Sequence, residues 1–114
     1  MKKLPNADLA VIAERKITGY LLSPSHPDGA SKAAFLERFG FEREAPGALE
    51  AALLRHAREA EVVRVERTPY GTKYVVDGPL NTPDGRNPGV LAVWLVEMNQ
   101  TQPRLVTAYP SERR

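Results

Sequence analysis

The chain has 114 residues, 42% of them hydrophobic and 26% charged, proportions of an ordinary globular domain with core enough to fold without staples. It contains no cysteine, which excludes disulfides, thiolate metal sites and cysteine nucleophiles. Its net charge of +2 does not mark a nucleic-acid binder by itself, so a basic patch requires the fold to gather Lys16, Lys32, Lys73, Arg86 and Arg104.

One domain spanning residues 1–114 is expected, with residues 1–8 polar and flexible or loosely docked. No apolar run approaches the ~20 residues of a membrane span. Lys2 and Lys3 lead into proline, asparagine and aspartate rather than an apolar region, so no signal peptide is expected and the cytoplasm is the default location. Arg113 and Arg114 at the end of the chain read as solvated charge.

Residues 9–12 form a short apolar run that fits a small strand or a docking segment. Residues 14–22 read as a helix with Ile17, Tyr20 and Leu21 facing the core, although Thr18 and Gly19 weaken it. Ser23-Pro24 ends it, because the residue before a proline disfavours helical angles. The loop 24–29 holds two prolines, a glycine and His26. A second helix runs from there to about Phe39, with Ser31 as its expected N-cap and Phe35, Leu36 and Phe39 as its apolar stripe. Lys32 stands one turn before Phe35 and Leu36, so its stem follows the core edge while its ammonium reaches outward. Gly40 is the expected stop. Residues 47–60, rich in Ala, Leu, Glu and Arg, give the clearest helix, with His56 at the margin of the Leu49, Leu53, Ala57 stripe.

From Glu61 onward β-branched and aromatic residues come in short runs. Strands are expected at 62–67, 72–77, 90–98 and 104–109. Thr68-Pro-Tyr-Gly71 suits a tight hairpin, and Asp84-Gly85 marks the turn of a longer one. Links this short join antiparallel neighbours, since parallel crossovers need a dozen or more residues. The expected fold is α+β: about three N-terminal helices packed on one face of a four-stranded antiparallel meander.

His26 admits two readings, a proton carrier in a restrained loop or a histidine that only hydrogen-bonds its own backbone. Pro24 and Pro27 restrict it, and Lys32 with the following helix start favours an anion nearby. Thr107 and Tyr109, two apart on the last strand, project from one face. If Val106 and Ala108 pack on the helices, the two hydroxyls face the open side, where they could hold a phosphate, or they are there for β-propensity alone. Arg86 could swing over an open sheet to pair a phosphate. Lys73 and Tyr74 are further substrate-binding candidates, and Tyr70, Tyr74 and Trp94 could stack on bases, although Trp94 reads as core. Asp77 reads as turn chemistry and His56 as structural. There is no phosphate-binding glycine loop, zinc-protease helix, nucleophile elbow or EF-hand, and no metal or other cofactor is expected.

Lys-Ile-Thr-Gly-Tyr-Leu-Leu, Ser-His-Pro-Asp-Gly-Ala-Ser-Lys-Ala, Phe-Gly-Phe, Tyr-Gly-Thr-Lys-Tyr-Val-Val-Asp-Gly-Pro-Leu, Pro-Asp-Gly-Arg, Trp94 and a terminal Leu-Val-Thr-Ala-Tyr-Pro together resemble a small bacterial domain family of unknown function. Its members occur alone or at the ends of larger, in part toxin-like proteins. The order of elements also resembles the barnase–EndoU–colicin–RelE group of metal-independent ribonucleases. The resemblance implies RNA as substrate and a small antitoxin or immunity protein as partner. It implies His26 as general base or acid, Lys32 with Arg86 stabilising the charged phosphorane, and Thr107 and Tyr109 orienting the phosphate. The alternatives are a non-catalytic module that binds protein or nucleic acid, and a structural protein of a phage or mobile element.

Overall fold

The computed structural model describes residues 2–111; Arg113 and Arg114 lie outside them. Three helices pack against an open sheet of four antiparallel strands in the order β1-β2-β3-β4. The strands are β1 (Glu61–Thr68), β2 (Gly71–Pro79), β3 (Gly89–Glu97) and β4 (Arg104–Pro110). This is the α+β meander that the hairpin spacing predicts. Among the described residues no helix is long and apolar enough to cross a membrane.

The helices are α1 (Glu14–Lys16), α2 (Ala30–Arg38) and α3 (Pro46–Glu59). On α3, Leu49, Ala52, Leu53, His56 and Ala57 are buried, a stripe at helical spacing that covers the sheet. Trp94 and Ala92 of β3, Val76 of β2, and Leu105 and Ala108 of β4 meet that stripe in one core. His56 is part of it: its Nε2 lies 3.1 Å from Gly78 O and 2.9 Å from Val90 O, so the imidazole donates there and ties α3 to β2 and β3. Gly40 ends the region of α2 with φ of 105°, a left-handed value that glycine adopts without strain.

The segment before α1 does more than its composition suggests. Leu4 is buried in the core, and Lys2 O accepts the Val62 N–H of β1 at 2.9 Å. Further along, Val11 N–H donates to Pro103 O and Leu105 N–H donates to Val11 O, forming a parallel bridge beside β4. One strap therefore reaches both edge strands, with Val11 supplying the short pairing that residues 9–12 allow.

Two local departures from the sequence reading shape the site. Beyond α1 the helix continues as a π-helical turn, Ile17–Leu21, with Leu22 N–H donating to Ile17 O. Such turns are uncommon and frequently occur at functional sites. On β4, Val93 pairs with Thr107 but Trp94 pairs with Leu105, which leaves Val106 as the extra residue of a β-bulge. Strict alternation is broken, so Leu105 and Ala108, rather than Val106 and Ala108, pack against the helices. β1 has a matching irregularity at Val63; bulges of this kind blunt edge strands.

Candidate functional site around Tyr20

Tyr20, which helical spacing assigns to the core, is half-buried and lies at the centre of the candidate site. Its hydroxyl shares a hydrogen bond of 2.7 Å with Thr107 Oγ1 on β4. Its ring meets the His26 ring edge-on, with centroids 4.9 Å apart and planes at 71°. Lys16 Nζ lies 5.4 Å and Lys32 Nζ 5.6 Å from the ring centroid. Each such cation–ring contact is worth about 0.5–1 kcal/mol at an accessible site. Three of the sequence-nominated residues, His26, Lys32 and Thr107, are thus brought together by a fourth that the sequence reading passed over. The missed signal was Lys16 four residues before Tyr20, a spacing that puts both on one helical face.

The His26 loop reaches this position because Gly29 has no side chain. A Cβ there would overlap the Tyr20 carbonyl oxygen and lie 2.9 Å from its carbon. The loop is fastened by the imidazole itself. The backbone N–H groups of Asp28 and Gly29 both donate to His26 Nδ1 at 3.0 Å. Ser31, the expected N-cap, lies inside α2; Gly29 is the N-cap residue, no side chain caps the helix, and the first helical N–H, that of Ala30, donates to the His26 carbonyl oxygen at 3.0 Å. With Nδ1 accepting, the neutral ring carries its proton on Nε2. A base would need Nδ1 protonated instead, and an imidazolium would need both, each at the expense of the two backbone bonds. The geometry suits His26 as a hydrogen-bond donor to an anion.

The cations are anchored as well. Lys16 Nζ donates to Val106 O at 2.9 Å, at the bulge of the β4 edge. Lys32 Nζ donates to Asp28 O at 3.1 Å, so its ammonium is turned back over the loop. Lys32 and Tyr109 both border a small apolar pocket with Leu21, Phe35 and Ala108. Among the described residues, no hydrogen bond or ring contact joins Tyr109 to the Tyr20 cluster.

Gly19, beside Tyr20, is exposed. A Cβ there would meet nothing closer than Arg15 Cβ at 4.0 Å. Glycine inside a helix costs about 1 kcal/mol relative to alanine, and no packing contact in the fold requires it here.

The remaining candidates stand elsewhere. Arg86 does not swing over the sheet: Nη2 donates to Arg38 O at 2.6 Å and Nε to Asp84 Oδ2 at 2.6 Å. Its guanidinium also lies 4.4 Å from the Phe39 ring centroid. It closes the far end of α2, about 12 Å along the helix from the His26 loop. Lys73 and Tyr74 are on β2, about 10 Å across the sheet from β4, and Tyr74 packs against the core. Arg104 pairs with Glu97. The five basic residues named from sequence are not gathered; Lys16 and Lys32 alone flank Tyr20. Among the described residues no cluster of three or more His, Asp or Glu could hold a metal ion.

Arg86 also sets the acid behaviour of its loop. Its backbone N–H holds the Asp84 carboxyl below the usual 3.8, helped by the guanidinium and the Thr82 hydroxyl and opposed by desolvation. A depressed folded-state value contributes stability above the unfolded value, which is lost as pH falls through the folded one. The melting-temperature gap between wild type and Asp84→Asn is expected to be present at pH above the ordinary carboxylate value and to close as pH falls through the lowered one. A gap that ignores pH would contradict this.

No curated protein matches the chain in sequence. A chain of the contact-dependent growth inhibition toxin–immunity protein complex from Klebsiella pneumoniae 342 has a similar fold. The TM-score is 0.71 at 14% identity, over 90% of this chain and 100% of that one. A domain of unknown function, DUF6883, matches residues 3–112, and the chain belongs to that family.

Proposed function

We propose that the protein is a toxin domain that cleaves RNA without a metal ion, by attack of a ribose 2′-hydroxyl on the adjacent phosphate, and that an immunity or antitoxin protein restrains it. The observation that carries this reading is the Tyr20 side chain, whose ring contacts His26, Lys16 and Lys32 and whose hydroxyl bonds to Thr107. The fold shared with a chain of a toxin–immunity complex supports the toxin context and the kind of partner.

In this reading the His26 Nε2–H and the ammonium groups of Lys16 and Lys32 stabilise charge on the non-bridging oxygens as the phosphorane forms. The 2′-oxygen bonds to phosphorus and the bond to the 5′-oxygen breaks. The Tyr20–Thr107 hydroxyl pair accepts the 2′-hydroxyl proton at one oxygen and releases the other proton to the departing 5′-oxygen, so the transfer balances without an outside base. Tyr109, two residues beyond Thr107 and bordering the apolar pocket with Lys32, orients the strand.

Incubating the full chain with a single-stranded oligoribonucleotide in EDTA is expected to give 2′,3′-cyclic phosphate ends, while an all-deoxy copy stays intact. Cleavage of the deoxy copy, or dependence on a divalent ion, would rule out this chemistry. The second reading, a module whose open sheet face joins a protein partner, is favoured by β1, where Val63 and Val65 are 40% and 44% exposed. Intact RNA after incubation with wild type would favour it.

A further inference from the structure

Beside the Tyr20 cluster lies an open depression of about 380 Å³ lined by Arg15, Lys16, Gly19, Tyr20 and His26. We infer that it binds a phosphodiester group of a single-stranded nucleic acid, with Arg15, Lys16 and the His26 Nε2–H as donors and Gly19 as an open floor.

The lining is one-sided in charge. Two cations, an imidazole N–H and a phenol border the depression, and no carboxylate does. The nearest acids in sequence are Glu14, on the same helix, and Asp28, beside His26; neither lines it. Arg15 is exposed and makes no ion pair among the described residues. Lys16 spends one N–H on Val106 O and keeps others for a ligand. His26 Nδ1 is taken by the Asp28 and Gly29 amides, which leaves Nε2–H as the ring's outward donor. Arg and Lys with a neutral N–H donor form a phosphate set with no anionic acceptor for a cation or an amine.

Gly19 is the second observation. Glycine there weakens the helix, nothing in the fold occupies the space a Cβ would take, and it lines this depression. A missing side chain is what the close approach of a ligand to backbone requires. The openness of the site fits a polymer passing over the surface better than an enclosed small molecule.

This site shares Lys16, Tyr20 and His26 with the proposed cleavage and so rests on the same cluster, but the experiment keeps binding and cleavage distinct. Isotope-labelled full-length protein is titrated with a single-stranded deoxythymidine hexamer, which lacks the 2′-hydroxyl, and separately with inorganic phosphate. The Gly19 amide and the His26 ring are expected to shift saturably with the hexamer. Arg15→Ala should weaken binding about tenfold and lower the slope of log affinity against log salt by about one. Gly19→Ala should raise the melting temperature by about 3 °C while weakening binding. Saturation by inorganic phosphate alone, at an affinity equal to the hexamer's, would overturn the polymer ligand. Non-saturating shifts, or binding unchanged in both variants, would overturn the site. Hexamer binding without RNA cleavage would sink the nuclease reading and leave this one standing.

Discussion

Gly29→Ala is expected to cost about 3 kcal/mol of folding stability, at the upper end for overpacking, and to separate His26 from Tyr20. The added methyl would coincide with the Tyr20 carbonyl oxygen and lie 3.1 Å from Tyr20 Cδ1. The first obstacle is backbone of the π-helical turn and cannot rotate aside. The φ of Gly29 is −94°, which any residue adopts, so the effect is a collision and not backbone strain. The loop can move outward only by giving up the edge-on contact between His26 and Tyr20. Urea unfolding gives the stability change, and ring-current shifts of His26 report the separation. A variant with wild-type stability and unchanged His26 shifts would contradict the packing described here.

His26→Asn is expected to slow RNA cleavage 10²–10³-fold, the usual loss on removing one oxyanion donor, with little change in stability. The asparagine Oδ1 stands where Nδ1 stood and can still accept the Asp28 and Gly29 amides. Its N–H₂ lies near the former ring Cδ2, short of Nε2. His26→Ala also removes the acceptor of the Asp28 and Gly29 amides and should lose about 1 kcal/mol of stability besides activity. The pair separates the two roles open to a loop histidine. If asparagine cleaves as fast as histidine at equal folded fraction, His26 only fastens its loop.

Much of the fold was legible because its signals are local. Leu49, Leu53 and Ala57 repeat with the helical period, Gly40 marks a helix end, and the hairpins at Tyr70-Gly71 and Asp84-Gly85 force adjacent antiparallel strands. The candidate site was legible in part. His26, Lys32 and Thr107 were named for their chemistry, but what joins them is tertiary. The π-helical turn depends on i→i+5 backbone bonds, and the β4 bulge on pairing with β3; neither leaves a residue pattern. Ser31 carries a local N-cap signal, yet α2 already begins at Ala30, after a loop that folds back so that His26 accepts the Asp28 and Gly29 amides. Arg86 was misplaced for a similar reason: Asp84 and the Arg38 carbonyl each accept one guanidinium hydrogen bond and the Phe39 ring lies under it, a seat that only the folded chain assembles.

The Tyr20-centred site is tested most directly by end-group analysis of an oligoribonucleotide incubated in EDTA with wild type and with His26→Asn, at matched folded fraction. Cyclic 2′,3′-phosphate ends are expected with wild type, and the same ends formed 10²–10³-fold more slowly with the variant. No scission by wild type, or equal rates for the two proteins, would contradict it.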